Sequence, residues 1–167
     1  MERPAPTTLP RTIRRATVAE SALLTDITFR AKAYWGYSPQ LMAQWRGIIS
    51  VPPELIRNNP VYLLEDSGRV CGYYSLEHPD GDQIMLENLF IDPDYIGSGV
   101  GRTLLQHALA LAASLGYQTV GLESDPHAEG FYLRLGAVRI GERPAPIPGQ
   151  PERVLPQMRF ELDTQER

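Results

Sequence analysis

The chain has 167 residues and a formal net charge of −4. This acidic balance argues against a general nucleic-acid binder, which is normally basic. Cys71 is the single cysteine, so an internal disulfide and a cysteine-based metal site are excluded. No run approaches the roughly 20 apolar residues of a membrane span, and residues 1–10 contain no apolar signal core. These features predict a cytoplasmic protein that binds neither nucleic acid nor membrane.

The length fits a single domain that buries roughly 70% of its unfolded surface. Residues 1–10 contain three prolines and are expected to form a flexible tail, which leaves residues 11–167 for the folded domain. Weak alternation predicts a first strand over residues 11–17. Apolar residues at roughly helical spacing then predict a helix from Val18 to about Trp35.

The middle of the chain has the pattern of a helix followed by three antiparallel strands. The helix has Ser38 as its N-cap and a proline at its first position. Residues 51–60 predict a loop or a short helical turn. Val61–Glu65 and Arg69–Glu77 flank a polar turn and predict a β-hairpin. Residues 83–91, QIMLENLFI, predict a third strand of the same sheet.

The second half alternates helices with strands. An amphipathic helix ends at Gly116, a favourable C-cap, and another helix runs from about Pro126 to Gly136. A proline-rich surface loop is predicted at 143–156. The predicted order is β-α-α-β-β-β-α-β-α-β-β, which indicates a mixed α/β (α+β) single domain with a central, mostly antiparallel sheet flanked by helices. The strands of this half are expected at 117–124, 137–142 and 157–162.

Three glycines, Gly97, Gly99 and Gly101, alternate between the third strand of the hairpin sheet and the next helix. Alternating glycines allow consecutive backbone amides to turn toward one ligand. The helix that begins near Gly101 adds unpaired N–H groups and the positive end of its dipole. A phosphate or pyrophosphate group is the ligand that suits this segment.

Two nucleotide-binding alternatives fit the glycines poorly. A dinucleotide fold would explain Glu123 as a ribose-binding acid, but the spacing is G-x-G-x-G, and residues 92–95 separate the strand from the glycines. Too few residues follow Glu123 to complete a doubly wound sheet. A nucleoside triphosphate loop would need a glycine at Ile96 and a lysine at Arg102.

Two motifs together resemble the GCN5-related N-acetyltransferase family. Residues 91–109, IDPDYIGSGVGRTLLQHAL, resemble its acyl-coenzyme A loop, R/Q-x-x-G-x-G/A. Residues 125–137, DPHAEGFYLRLGA, resemble the second signature, N-x-x-A-x-x-F-Y followed by a glycine. The resemblance covers about residues 11–162 and includes the order of elements. It implies direct acetyl transfer from acetyl-coenzyme A to an amine, with no metal and no covalent enzyme intermediate.

By this resemblance, the main chain of one strand segment pairs with the pantetheine arm of the coenzyme like an extra strand. The glycine segment holds the pyrophosphate, and the start of the last helix lies in the same neighbourhood. The residues so implied in coenzyme binding are Leu89, Phe90, Ile91, Gly97, Ser98, Gly99, Val100, Gly101, Arg102, Thr103, Asp125 and His127.

The chain departs from the family pattern at three positions. Ile96 replaces the usual Arg or Gln, which removes one polar side-chain contact but leaves the backbone cradle. Asp125 replaces the asparagine and puts its amide contact in question, so His127 is expected to take over that neighbourhood. Ala137 replaces the phenylalanine after the second glycine.

Acetyl transfer to an amine needs a base that acts near neutral pH and a donor for the leaving thiolate. Glu87 lies with Asn88 at the centre of an almost entirely apolar strand, which predicts a general base or an amine-binding carboxylate with a raised pKa, with a structural salt bridge as the alternative. Glu123, at the end of the next strand, is the second candidate base. Tyr132 occupies the family's tyrosine position, which implies that it donates the proton to the leaving thiolate. His78 is expected to be a turn residue.

The acceptor side is implied to lie at the first two helices and their connection. Tyr34, Trp35 and Tyr37 flank Gly36, a pattern that favours an aromatic cleft for an apolar or cationic amine, whereas Trp45 is assigned to packing. The acceptor is expected to be a small-molecule amine or a peptide, and the resemblance allows a homodimer. The alternative function is a coenzyme A-binding sensor or regulatory module with little or no turnover.

Overall fold

The computed structural model describes residues 10–163, so the tail predicted for residues 1–10 lies almost entirely outside the described residues. Within them the chain forms five α-helices and seven β-strands. The helices are α1 (Ser21–Tyr34), α2 (Pro39–Ile49), α3 (Pro53–Asn58), α4 (Val100–Ser114) and α5 (Glu129–Arg134). The strands are β1 (Arg11–Arg15), β2 (Val61–Asp66), β3 (Arg69–Asp80), β4 (Gln83–Ile91), β5 (Thr119–Glu123), β6 (Val138–Pro144) and β7 (Val154–Glu161).

The seven strands form one sheet in the order β1-β2-β3-β4-β5-β7-β6. Strands β4 and β5 are parallel, whereas β1–β2, β5–β7 and β6–β7 are antiparallel. The predicted mixed, mostly antiparallel sheet is therefore confirmed. The predicted order of elements holds as well, with α3 formed where the sequence allowed a loop or a short helical turn.

The proline-rich segment is more ordered than the sequence indicates. Arg143 pairs with Leu155 and Pro144 with Val154, so β6 and β7 extend into the range 143–156 that was expected to be a loop. Strand β6 lies at the edge of the sheet, where a proline does not interrupt a ladder on both sides. The composition of the segment concealed this hairpin.

The chain divides into two compact units. The first comprises the described residues up to Tyr74 together with Leu89–Leu104, and the second comprises Ser75–Asn88 together with the described residues from Leu105 onward. Helix α4 and strands β3 and β4 continue from one unit into the other. Among residues 10–163, no helix is both long enough and apolar enough to cross a membrane.

In the first unit, the inner face of α1 packs on the hairpin strands. Leu24 and Ile27 are fully buried against Leu63 and Tyr73 in one apolar cluster. The Tyr73 hydroxyl and Thr28 Oγ1 form a buried hydrogen bond, and Thr28 Oγ1 also donates to the Leu24 carbonyl at 2.8 Å. Both polar groups are thereby satisfied inside an apolar core.

Helix α2 begins as the sequence predicts. The Ser38 hydroxyl accepts a hydrogen bond from the Leu41 amide at 3.1 Å, and Pro39 occupies the first helical position. A side-chain acceptor at the N-cap satisfies one of the amides that a helix leaves unpaired at its start. The connection between α1 and α2 is therefore a defined turn, with Gly36 at φ +89°.

Gly72 of β3 lies against β4 with no room for a side chain. A Cβ atom at this position would lie 2.8 Å from the Phe90 carbonyl oxygen and 2.9 Å from Ile91 Cδ1. We expect Gly72→Ala to lower the free energy of unfolding by about 1–3 kcal/mol, because the clash involves backbone. Chemical denaturation measures this loss.

The control for Gly72 is Gly47→Ala in α2. No heavy atom lies within 4 Å of a Cβ built on Gly47, so this substitution adds only helix propensity. We expect Gly47→Ala to raise the free energy of unfolding by about 0.5–1 kcal/mol. Equal stability of the two variants would contradict the close contact between Gly72 and the Phe90 carbonyl.

Candidate active site

The glycine segment forms an open turn at the start of α4. Gly97 and Gly99 have φ values of +79° and +87°, which a residue with a Cβ adopts only with strain. No atom lies within 4 Å of a Cβ built on either glycine, so backbone conformation and not crowding requires them. The space above this turn is open to a ligand.

The first turn of α4 supplies hydrogen-bond donors. The Thr103 amide donates to the Gly99 carbonyl at 3.0 Å, which makes Gly99 the residue from which the helix starts. The amides of Val100, Gly101 and Arg102 precede Thr103, whose amide is the first intrahelical donor, so they have no acceptor within the helix. An anion placed there would receive several N–H groups and the favourable end of the dipole.

A buried carboxylate fixes the chain just before the glycines. Asp92 is 1% exposed and accepts hydrogen bonds from Arg30 Nη1 at 2.7 Å and Arg69 Nη2 at 3.1 Å. Its other oxygen caps the following 3-10 turn by accepting from the Asp94 amide at 3.0 Å. Burial alone would raise the pKa of Asp92, but these donors outweigh it and lower the pKa below its ordinary value.

The glycine turn is held from β1 as well. Arg11 Nη1 donates to the Ser98 carbonyl at 2.9 Å, and Arg11 Nε contacts Asp66 Oδ2 at 3.3 Å. The side chain at the family's Arg or Gln position, Ile96, is 47% exposed. The turn is therefore positioned through its backbone, and the side chain at Ile96 adds no polar group.

Strand β4 pairs with β5 over a short stretch only. The parallel register joins Gln83 to Thr119, Ile84 to Val120 and Met85 to Gly121, and it ends well before the end of β4 at Ile91. The main chain of β4 beyond Met85 thus continues without this ladder. Such a strand can accept the backbone-like amides of an extended ligand.

In the second unit, Glu87 is the carboxylate with the perturbed acidity. Partial burial raises its pKa above the ordinary value; Glu77 and Glu123 act in the same direction, and His78 acts against them. The Glu87 side chain remains 39% exposed, and its Oε1 lies 3.8 Å from His78 Nε2. A half-exposed carboxylate with a raised pKa is a suitable proton acceptor.

Glu123 and Tyr132, the two other predicted catalytic residues, also belong to the second unit. Glu123 Oε2 accepts a 2.7 Å hydrogen bond from Arg143 Nε, so its charge is already paired. Tyr132 is 8% exposed and packs edge-to-face on Phe160, with ring centroids 6.4 Å apart. Burial, and then the charge of Asp125, raises the pKa of Tyr132, which stays protonated at neutral pH.

Asp125 and His127 bind each other. Asp125 Oδ1 accepts from the His127 amide at 2.9 Å and lies 2.7 Å from His127 Nδ1. Arg153 Nη2 approaches the second carboxylate oxygen at 3.8 Å. Asp125 therefore caps the 3-10 turn that precedes α5, and its role in coenzyme binding stays a prediction.

The aromatic residues of the α1–α2 connection separate into two environments. Tyr34 and Trp35 are 56% and 38% exposed and contact each other edge-to-face. Tyr37 is 8% exposed and packs edge-to-face on Trp45, at 4.9 Å between ring centroids. Packing of Trp45 agrees with its expected role, and the two exposed rings are the better placed for contacts with an acceptor.

Lys32, the only lysine in the sequence, lies among two of these rings and that of Phe90 on β4. Its Nζ is 5.6 Å from the Tyr37 centroid, 5.4 Å from that of Trp45 and 5.7 Å from that of Phe90. Three aromatic faces stabilise a cation at this point. The part of the aromatic cluster that is buried therefore already holds a positive charge of the protein.

An apolar groove of about 350 Å³ runs between α1 and α2. Its volume falls within the range of small-molecule sites. Arg46 lies at this groove with its guanidinium 5.3 Å from the centre of the Phe29 ring. The lining residues are Phe29, Arg30, Ala33, Tyr37, Pro39, Met42, Ala43 and Arg46.

Sequence patterns missed the Asp92 contacts, the Lys32 cluster and the contact between His78 and Glu87. Two signals were available: the Asp-Pro-Asp pattern that starts at Asp92, and the rarity of lysine in a chain rich in arginine. His78 was expected to be a turn residue, but it belongs to β3. Within residues 10–163, no group of three or more His, Cys, Asp or Glu side chains is arranged to hold a metal ion.

Comparison with known proteins identifies the family and the fold. The model of the acetyltransferase (GNAT) family matches residues 24–137, more than half of the chain. The PaiA N-acetyltransferase of Thermoplasma acidophilum, solved with coenzyme A, superposes with a TM-score of 0.76 at 16% identity, over 92% of this chain and 99% of that one. A GCN5-related N-acetyltransferase from Rhodopseudomonas palustris gives 0.77 at 20% identity, over 93% and 98%.

Curated relatives match over shorter segments. The peptidyl-lysine N-acetyltransferase YjaB of Escherichia coli is 41% identical over 66 residues, which are 40% of this chain and 44% of that protein. An uncharacterised N-acetyltransferase of Mycobacterium tuberculosis is 33% identical over 79 residues, 46% of this chain and 51% of that protein. The chain thus spans about half the length of the curated relatives it matches. Together, the family match, the two signatures and the shared fold show that the chain belongs to the acetyltransferase (GNAT) family.

Proposed function

We propose that the protein transfers an acetyl group from acetyl-coenzyme A directly to a primary amine. The observation that supports this most is the glycine turn: open, positive-φ glycines lead into a helix start with unpaired amides. A pyrophosphate is the group that this backbone would bind. Acetyl-coenzyme A supplies the acetyl group as a thioester, and the chain supplies positioning and proton transfer.

We assign the strand before the glycines to binding of the pantetheine arm of the coenzyme. Leu89, Phe90 and Ile91 continue β4 beyond the end of its parallel ladder with β5. The absence of a side chain at Gly72 leaves room for the Phe90 carbonyl at this point. In this assignment, coenzyme binding depends on main-chain groups. The departures from the family pattern at Ile96 and Asp125 are therefore compatible with binding.

Glu87 is assigned as the general base that removes the proton of the attacking amine. An acceptor amine is protonated near neutral pH, and only its neutral form is a nucleophile. The raised pKa of Glu87 brings the carboxylate closer to the acidity that such a transfer requires. Glu123 is the weaker candidate, because Arg143 already holds its charge.

Tyr132 is assigned to the leaving thiolate as a hydrogen-bond donor. Its pKa is raised, so the hydroxyl stays protonated, but complete proton transfer to a thiolate is uphill, since an ordinary thiol has a pKa of about 8.5. A hydrogen bond from the hydroxyl still stabilises the developing negative charge on sulfur.

A small-molecule amine is the preferred acceptor class. The groove between α1 and α2 has the volume of a small-molecule site, and Tyr34 and Trp35 expose apolar area on the same helix connection. The peptidyl-lysine activity in the name of the Escherichia coli relative makes a lysine peptide the necessary second arm of any acceptor screen.

Release of free thiol from acetyl-coenzyme A, followed over a panel of amines, amino acids and lysine peptides, tests the function. Acetyl transfer predicts amine-dependent thiol release together with an acetylated product of the expected mass. Tight coenzyme binding without turnover for any acceptor would instead support a coenzyme A-binding sensor or regulatory module. The exposed Ile96 is the observation that favours this second function.

Gly99→Ala tests the pyrophosphate site. Alanine at φ +87° is strained by roughly 1–2 kcal/mol, and the turn is expected to relax away from its geometry. We expect the affinity for acetyl-coenzyme A to fall by about tenfold or more, equivalent to roughly 1.4 kcal/mol, as measured by calorimetry. Gly149→Ala is the control, because Gly149 has φ +80° with equally open surroundings in the β6–β7 connection. Equal affinity of the two variants would contradict the assignment.

A further inference from the structure

His78 has a left-handed backbone conformation, which is unusual for a residue inside a β-strand. Among residues 10–163, Ser67 and His78 are the two non-glycine residues with positive φ, at +54° and +55°. Ser67 lies in the tight turn between β2 and β3, where left-handed residues are common. His78 lies inside β3, and strained residues of this kind concentrate at functional sites.

The strained conformation places the imidazole beside Glu87. His78 Nε2 lies 3.8 Å from Glu87 Oε1, and the His78 side chain is 72% exposed. The charges of both Glu77 and His78 act on the pKa of Glu87. The imidazole contacts the Glu87 carboxylate, whereas the Glu77 carboxylate is bonded to Ser75 and Asn88.

The other charged groups around Glu87 are held by partners. Glu77 Oε2 accepts from Ser75 Oγ at 2.7 Å and from Asn88 Nδ2 at 3.4 Å. On β5, Glu123 is paired with Arg143 of β6 at 2.7 Å. Of the groups that act on Glu87, the imidazole of His78 contacts its carboxylate, and the ring nitrogens of an imidazole can serve as donor and as acceptor.

We propose that His78 is a positioning residue that relays protons between Glu87 and solvent. The inference rests on the proposed function, in which Glu87 is the general base. The N–H bond of the acceptor ammonium breaks as an O–H bond forms on Glu87. Because 3.8 Å is too long for a direct hydrogen bond, that O–H then breaks as one bridging water takes its proton and gives another to His78 Nε2. Water receives the proton from the exposed imidazole, and Glu87 returns to its carboxylate form.

The relay explains two features that a surface histidine would not need. The first is the left-handed backbone at His78, whose imidazole lies 3.8 Å from the carboxylate. The second is the Ser75–Asn88–Glu77 hydrogen-bond network, which keeps Glu77 engaged while Glu87 exchanges its proton. Both lie on the same two strands as the proposed base.

His78→Gly separates the relay from a structural role. Glycine adopts φ +55° without strain, so the melting temperature is expected to stay equal or to rise. We expect kcat to fall at least about tenfold, at the low end of proton-transfer effects, with the KM of the coenzyme unchanged. Added imidazole should restore part of kcat in His78→Gly and have no effect on the wild-type protein.

Ser67→Gly is the matched control, since it relieves the same backbone strain at φ +54° in the β2–β3 turn. Its melting temperature should also stay equal or rise, with kcat unchanged. Wild-type kcat in His78→Gly overturns the relay. A lower melting temperature together with lost activity that imidazole does not restore overturns it as well, because both are the signs of a structural residue.

A carbon-13 titration of the Glu87 carboxyl group tests the pair without turnover. Protonated His78 lowers the pKa of Glu87, so loss of the imidazole is expected to raise that pKa and to move the acid limb of the kcat/KM profile to higher pH. An unchanged Glu87 titration in His78→Gly overturns the relay alone. No turnover by the wild-type protein, with the titration shift intact, overturns the proposed function instead.

Discussion

Replacement of Glu87 by glutamine is expected to lower kcat/KM for acetyl transfer by about 10²–10⁴-fold. Glutamine keeps the size of the side chain and its position on β4 but cannot accept a proton. Affinity for acetyl-coenzyme A should not change, because the substitution leaves untouched the glycine turn and the Leu89–Ile91 segment, which we propose bind it. Steady-state kinetics with the best acceptor, together with calorimetry of coenzyme binding, measure the two quantities.

The pH profile adds a second readout for Glu87. The base works only as a carboxylate, so kcat/KM should fall as pH drops through its raised pKa. Arg143→Gln leaves the Glu123 charge unpaired, which should raise the pKa of Glu87 further and shift this acid limb to higher pH. Glu123→Gln removes that charge, so it should lower the pKa of Glu87 and shift the acid limb of kcat/KM to lower pH.

Tyr132→Phe is the matched comparison, because it removes only the proposed thiolate donor. Its kcat should fall while the acid limb set by Glu87 stays in place. A Glu87→Gln variant with wild-type kcat/KM would move the base assignment to Glu123. If Glu87→Gln instead lost both activity and affinity for the coenzyme, Glu87 would act through the fold and not as the base.

Asp92→Asn is expected to lower the free energy of unfolding by about 3 kcal/mol. The substitution removes a buried charge that accepts from Arg30 and Arg69, and no other carboxylate in these contacts is buried. The loss falls at the low end for a broken buried ion pair because the two guanidinium groups are 40% and 51% exposed and can hydrate. Urea denaturation at neutral pH measures it.

Asp94→Asn is the control for Asp92. Asp94 also pairs with Arg69, at 2.8 Å, but its side chain is 68% exposed, so a change of less than about 1 kcal/mol is expected. Equal losses for both variants would contradict the special role of burial at Asp92. A further consequence is a weaker glycine turn, since Asp92 caps the chain just before it.

The same carboxylate makes stability depend on acid pH. The folded-state pKa of Asp92 is lowered, so its contribution is complete above the ordinary aspartate value and is lost as pH falls through the lower folded value. The wild-type protein should therefore lose stability below about pH 4, and Asp92→Asn should lose less over the same range.

Local patterns were sufficient for most of the fold. The spacing of apolar residues predicted α1 and α4, the cap at Ser38 marked the start of α2, and the turn at Ser67 marked the hairpin. Such features depend on neighbours within a few residues, so the sequence contains them directly. The ends of β6 and β7 within 143–156 were mistaken for a loop, because the prolines there conceal a pairing that forms between residues distant in sequence.

The same distinction between local patterns and contacts of distant residues applies to the candidate site. The glycine turn and the position of Glu87 could be predicted, since both follow from short motifs. The contacts of Asp92 could not, because Arg30 and Arg69 lie 62 and 23 residues away along the chain. A left-handed His78 has no sequence signature either, since glycine or asparagine normally marks such a conformation.

The single lysine among the aromatic rings has a practical consequence for chemistry on this protein. An acetyltransferase can modify exposed lysines of its own surface, but here Lys32 is the single lysine among the 167 residues. Thiol release measured with this chain should therefore contain little background from self-modification. An amine-reactive reagent would likewise label one side chain, and its rate at Lys32 would report directly on how well Tyr37, Trp45 and Phe90 shield that ammonium group.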